Sequence, residues 1–363
     1  MSRPVHGGNL AWAAGLAGCA PAELLDFSAS ISPLGPPQSV REAIRADFLS
    51  VRSYPDPDYG ALREAIAQHH KVSIEYTTPG NGAAELLTWA ARDLAQMAAC
   101  LCLSPGFSDY DRALGAFGCT PVKLSCLELM DWETQILDQF SDLKQCGLLL
   151  NNPHNPTGKL FSRESIRPFL SKLALLVVDE AFMDFLPPGR EQSVIDWVSE
   201  FENLVVIRSL TKFYSMPGLR LGYAIAHPKT INRWQKWRDP WSVNALAISA
   251  GIAALQDTKF QQQTWDWLEM ANAQLHEALS AMPGLSPYPG CANFLLVKCK
   301  KSVTALQEAL LKQRRIYIRD CMSFEGLGDR YFRVAVKTQA ENSRLVKAIA
   351  QTLPDLPEAS NAS

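Results

Sequence analysis

Between about residues 60 and 260, short apolar runs alternate with stretches of helical periodicity. The runs at 100–103, 148–150, 175–178, 204–207 and 223–226 are almost free of polar residues, as strands buried on both faces are. The stretches 61–70, 83–94 and 163–173 repeat apolar residues at helical spacing. This alternation predicts an α/β fold, a large domain with a mostly parallel central sheet flanked by helices. After a long helical stretch over about 259–282 the pattern changes to apolar runs at 293–297, 316–318 and 332–336 around a helix starting near 302, which predicts a smaller α+β domain. The division expected is an N-terminal arm packing on the small domain (1–45), a large domain (46–265), a small C-terminal domain (266–353) and a disordered tail (354–363).

Ligands in such folds gather at the carboxyl ends of the strands, and three chemically loaded segments follow apolar runs here, around Asn155, Asp179 and Lys212. Lys212 lies in Ser209-Leu210-Thr211-Lys212, eight residues before Arg220, on a loop leaving a strand. Partial burial and a nearby cation disfavour an ammonium, and the free amine condenses with an aldehyde such as that of pyridoxal phosphate. Asp179 and Glu180 end an apolar run, so period-two geometry sends them to opposite sides. Asp179 then either caps the next element or keeps a pyridine nitrogen protonated through a charge-assisted bond. Both prolines around Asn155 stiffen its turn, which is either a plain turn or a mount that aims the amide at a phenolate oxygen.

Gly82 and Ala83 precede a helix, and with Ser209, Thr211 and Arg220 they make a candidate anion cup. Phe107 is either core or a stacking platform, and Tyr54 either a loop aromatic or a phosphate donor to another active site. Arg319 ends an apolar run and Arg333 lies inside one, where an arginine needs an anion, from a substrate or from a structural ion pair.

Composition narrows the partners. Of 363 residues, 47% are hydrophobic, and 35 basic residues stand against 37 acidic ones without a dense basic run. Small-molecule chemistry is therefore expected, with no nucleic acid and no membrane. The N-terminus has no signal-peptide core and no apolar stretch is long enough to span a bilayer, which predicts a cytoplasmic protein. Nine scattered cysteines lack a metal-ligand spacing and read as reduced thiols, so no metal is expected.

With Asn155-Pro156-Thr157-Gly158, Asp179-Glu180-Ala181 and Ser209-x-x-Lys212…Gly218-x-Arg220-x-Gly222 in that order, the chain resembles the fold-type I pyridoxal-phosphate enzymes of the aminotransferase class. Within that class it is most similar to the threonine-phosphate decarboxylases of cobalamin biosynthesis, through His6-Gly7-Gly8-Asn9, Asp26-Phe27-Ser28-Ala29, Tyr54-Pro55-Asp56 and Pro240-Trp241-Ser242-Val243-Asn244. The resemblance implies that Lys212 carries the cofactor aldehyde, Asp179 pairs with the ring nitrogen, Asn155 with the ring oxygen, and Phe107 stacks. It implies that Gly82, Ala83, Ser209 and Arg220 hold the cofactor phosphate, joined by Tyr54 from the other subunit of a homodimer. For a small phosphorylated amino-acid substrate it implies Arg333 on the carboxylate, and Arg319, His6, Ser28 and Ser30 on the phosphate. The alternative within the class is a histidinol-phosphate-type aminotransferase. Two features bear on that choice. Phe182 stands where those aminotransferases carry a tyrosine, and Ser30-Ile31-Ser32-Pro33 replaces the decarboxylases' Asn-Ile-Asn-Pro.

Overall fold

The computed structural model describes residues 3–127, 132–140 and 142–359. Seven strands form the large sheet in the spatial order Thr77–Asn81, Leu221–Ala226, Leu204–Ser209, Leu175–Asp179, Cys146–Asn151, Ala99–Ser104, Val122–Ser125. All neighbours are parallel except those of Leu221–Ala226, which runs antiparallel to both. The central strands are apolar on both faces because both are covered. Leu148, Leu150, Val178 and Val206 join the core on one side, while Leu149, Val177, Val205 and Ile207 join that on the other.

The smaller domain is an antiparallel sheet in the order Arg319–Asp320, Tyr331–Ala335, Phe294–Cys299, Leu285–Pro287, backed by the helices Val303–Arg314 and Gln339–Thr352. The 23-residue helix Thr258–Ser280 leads into it, its N-terminus capped by Asp257, whose carboxylate accepts from Phe260 N–H at 2.9 Å.

The N-terminal arm divides between the domains. Helix Leu10–Ala17 packs on Val303–Arg314, and Leu25–Asp26 pairs in parallel with Ile316–Tyr317. Helix Gln38–Ala46 instead packs on Ala245–Gln256 of the large domain. The tail also departs from expectation. Leu353–Asp355 forms a 3-10 turn, Glu358 bridges to Lys301 with an ion pair of 2.8 Å, and Ala359 N–H donates to Lys300 C=O at 2.9 Å. Disorder expected from 354 onward is thus corrected through 359, where nonlocal partners satisfy the backbone; 360–363 lie outside the described residues.

Candidate active site

Strands Cys146–Asn151, Leu175–Asp179 and Leu204–Ser209 open at their carboxyl ends into a cavity of about 390 Å³ between the two domains and the arm. His6, Ser28, Ser30, Ala83, Phe107, Asn155, Asp179, Ser209, Thr211, Lys212, Arg220, Arg319 and Arg333 all line it. Gly82 and Tyr54 do not.

Asp179 ends its strand with both carboxylate oxygens occupied: Oδ1 accepts from Ala181 N–H at 3.0 Å and Oδ2 from the Tyr110 hydroxyl at 2.7 Å. Burial raises its pKa above the usual carboxylate range, opposed by the Tyr110 bond, the Lys212 charge and the Ala181 N–H. Glu180, on the other side of the chain, is sealed in an ion pair with Arg208 at 2.8 Å. Lys212 Nζ donates to Ser209 Oγ at 3.4 Å and lies 5.6 Å from the centre of the Phe182 ring. Burial lowers the Lys212 pKa, Asp179 acts against this, and Arg220 and Arg333 add to the lowering.

Asn155 is held by its backbone, whose N–H donates to Asn151 Oδ1 at 2.7 Å. Its side-chain oxygen accepts from Arg333 Nη1 at 2.5 Å, which leaves the amide nitrogen as the end available for a ligand.

Helix Ala83–Leu94 begins beside Ser209 and Thr211, whose hydroxyls lie 2.8 Å apart. No side chain caps that helix, and its first residues, Ala83 and Ala84, line the cavity, which puts an uncapped helix start there. Gly82 stands behind this cup. Its φ is +77°, and a Cβ there would lie 2.6 Å from Arg220 Nη2, so glycine is what lets the guanidinium close over the helix start.

Arg319 and Arg333 are Cα partners across adjacent antiparallel strands, 2% and 7% exposed. Like charges placed directly opposite destabilise a sheet, so an anion is called for. Arg319 donates to the carbonyls of Pro4 and Val5 and to Ser323 Oγ, and lies 3.8 Å from Asp320. Arg333 has Asn155 and the Ser28 carbonyl but no acid within ion-pair distance among the described residues, and its Nε is buried without a partner. Burial and Arg319 push the Arg333 pKa down to about 10. The Ser30 hydroxyl, on a residue 5% exposed, is likewise buried and unpartnered. Ser28 differs: its hydroxyl is committed, accepting from Gly8 N–H at 2.8 Å and donating to Asp26 at 2.6 Å. His6 packs 5.6 Å from the Phe107 ring, and burial lowers its pKa against the pull of Asp109.

Tyr54 is 79% exposed and packs tilted against Trp241 at 4.4 Å, outside its own cavity. Sequence reading missed Tyr110, Asn151, Asp109 and Phe324 among the cavity and its supports. Tyr110 carried a weak signal, since it stands three residues after Phe107, one helical turn on.

The fold and this cavity define a class: the chain belongs to the aminotransferase class I and II family, whose model matches residues 22–349. It is 41% identical over 361 residues, 98% of either chain, to threonine-phosphate decarboxylase of Salmonella typhimurium. It is 30% identical, over 96% of its own length and 41% of the relative's, to the adenosylcobalamin biosynthesis bifunctional protein CobDQ of Leptospira interrogans. Among solved structures, histidinol-phosphate aminotransferase from Clostridium acetobutylicum superposes with a TM-score of 0.84 at 27% identity, covering 92% of this chain and 100% of that one.

Proposed function

We propose that the protein is a cytoplasmic pyridoxal-phosphate-dependent decarboxylase that converts L-threonine O-3-phosphate to (R)-1-amino-2-propanol O-phosphate and CO2 in cobalamin biosynthesis. The observation that carries the reading is the facing pair Arg319 and Arg333, two buried cations on paired strands at one end of the cavity, suited to a substrate with two anionic groups. The near-full-length similarity to a threonine-phosphate decarboxylase supports the same choice over the aminotransferase.

The residues present fit the cofactor. The uncapped helix start at Ala83, the Ser209 and Thr211 hydroxyls and Arg220 suit its phosphate, Phe107 its ring face, Asp179 its ring nitrogen, the free Asn155 amide its ring oxygen, and Lys212 its aldehyde. Bound there, pyridoxal phosphate supplies an aldehyde that condenses with amines and a ring that accepts the electron pair released when a bond to the α-carbon breaks.

Arg333 would bind the substrate carboxylate through its open Nε edge and hold that group in one orientation, which would favour loss of CO2 over loss of the α-proton. Arg319, Ser30 and His6 receive the substrate phosphate, as the orphaned Ser30 hydroxyl favours. The arm lines the cavity on that side through Val5, His6, Ser28 and Ser30. Lys212, the one amine among the lining residues, is positioned to return a proton to the α-carbon. Phe182, buried against Phe294 at 4.9 Å, offers no hydroxyl to the ring oxygen. The exposed Tyr54 reaches the cofactor phosphate of a second copy in a homodimer.

The test is a decarboxylation assay across threonine, serine and their O-phosphates, with and without 2-oxoglutarate. CO2 release from threonine phosphate without a keto acid is expected. Glutamate formation that requires 2-oxoglutarate would instead favour the aminotransferase.

A further inference from the structure

The cavity contains a buried phenol beside the residues that suit the cofactor. Tyr110 is the second residue of the helix Asp109–Gly115, is 4% exposed, and reaches across 69 positions of sequence to donate its hydroxyl to Asp179 Oδ2 at 2.7 Å. Its ring meets the Phe107 ring edge-on, at 5.6 Å and 90°. One side chain therefore touches both groups that the proposed function sets around the ring of the cofactor, the carboxylate at its edge and the aromatic on its face.

We propose that Tyr110 is a positioning residue whose hydroxyl bond holds the Asp179 carboxylate in the ionised state in which it meets the cofactor's ring nitrogen. The inference rests on the reading of this cavity as a pyridoxal-phosphate site.

The physical case starts from the cost of a buried carboxylate, which must be met by bonds to its oxygens. Asp179 has two such bonds, from Ala181 N–H and from Tyr110, each leaving its oxygen a further lone pair for a ligand. The charged and titratable groups facing it are Tyr110, Lys212 and Asp109. Lys212 favours the ionised carboxylate and Asp109 opposes it, so without the phenol the balance against burial rests on one backbone N–H and a lysine whose own ammonium is disfavoured. Tyr110 itself remains a donor throughout, because burial and the Asp179 charge hold its pKa well above that of an ordinary tyrosine. A tyrosine that only filled the core would need no hydroxyl. The core it joins is apolar, with Leu87, Leu114 and Ala113 among its members.

The sign of the effect is fixed. Losing the bond raises the Asp179 pKa, so the carboxylate is neutralised at a higher pH and the ring nitrogen loses its partner there.

The experiment measures the dissociation constant of pyridoxal phosphate from the full-length apoprotein by tryptophan fluorescence, between about pH 5 and about pH 9. Wild type, Tyr110→Phe and a protein with 3-fluorotyrosine at position 110 are compared. In Tyr110→Phe the midpoint of the acid-side loss of affinity is expected to move up by about one pH unit, with affinities converging at high pH. The more acidic fluorophenol is expected to move it down. Uniform weakening of Tyr110→Phe at every pH overturns the proposal, as does a fluorotyrosine protein whose midpoint does not move. The latter comparison decides alone if circular dichroism shows Tyr110→Phe to be unfolded. A wild-type apoprotein that takes up no pyridoxal phosphate ends the proposed function and this inference with it, whereas normal wild-type binding beside an unshifted variant ends this inference only.

Discussion

Arg333 Nη1 and Asn155 Oδ1 lie 2.5 Å apart, joining a strand of the small domain to a loop of the large one. The bond fixes which end of the Asn155 amide faces the cavity and ties the proposed carboxylate site to the proposed ring-oxygen donor. Asn155→Ala removes that donor and leaves Arg333 Nη1 without its partner. A charge-assisted bond contributes about 1.5–3 kcal/mol, so kcat/KM for threonine phosphate is expected to fall about tenfold to a hundredfold. Steady-state kinetics on the reconstituted variant measure this, and an unchanged kcat/KM would separate Asn155 from the chemistry.

Arg319 and Arg333 face each other with little acid to balance them. Such a site favours ligand binding at the expense of the empty protein's stability. Arg333→Met is expected to lower kcat/KM at least about a hundredfold, since two charge-assisted bonds to the carboxylate are lost. The apoprotein's Tm is expected to stay level or rise. A clear fall in apoprotein Tm would mark Arg333 as a structural ion-pair member instead.

Much of this arrangement was legible in the sequence, and the remainder depends on contacts that sequence does not display. The central strands announced themselves because burial on both faces requires apolar residues throughout. Thr77–Asn81, with Pro79 and Gly80 in it, carries no strand pattern, yet it is an edge strand, the position where Pro79 is tolerated. Val122–Ser125, at the opposite edge, is too short and polar to stand out. Lys212, Asp179 and Asn155 were found because each carries unusual chemistry at the end of an apolar run. Tyr110 was missed because it sits between Asp109 and Asp111 in what reads as a polar helix start, and its partner is distant in sequence. The pairing of Lys301 with Glu358 and the docking of Gln38–Ala46 on the large domain are hidden for the same reason.

The Lys212 amine gives a pH signature in the apoprotein. Burial lowers its folded-state pKa below the ordinary 10.5, so between those two values the unfolded chain binds more protons and stability rises with pH. Lys212→Met removes this dependence. The variant is expected to be more stable than wild-type apoprotein near pH 7, with the difference closing as pH approaches 10.5. Thermal unfolding of both apoproteins across that range measures it, and a constant difference would contradict the lowered pKa.

Tyr54 stands outside its own cavity, so its proposed work is done in a second copy. Lys212→Ala and Tyr54→Ala should each be impaired alone. Hybrid dimers formed by unfolding and refolding an equal mixture regenerate one intact site in half the molecules, an expected recovery of about a quarter of wild-type activity. No recovery, with sedimentation showing that hybrid dimers form, would place Tyr54 outside the shared site.

The most direct test of the account is where the cofactor attaches. Holoprotein reduced with sodium borohydride, digested and analysed by mass spectrometry is expected to carry the pyridoxyl phosphate mass on Lys212 and to lose it in Lys212→Ala. A label on another lysine, or none, would contradict the account.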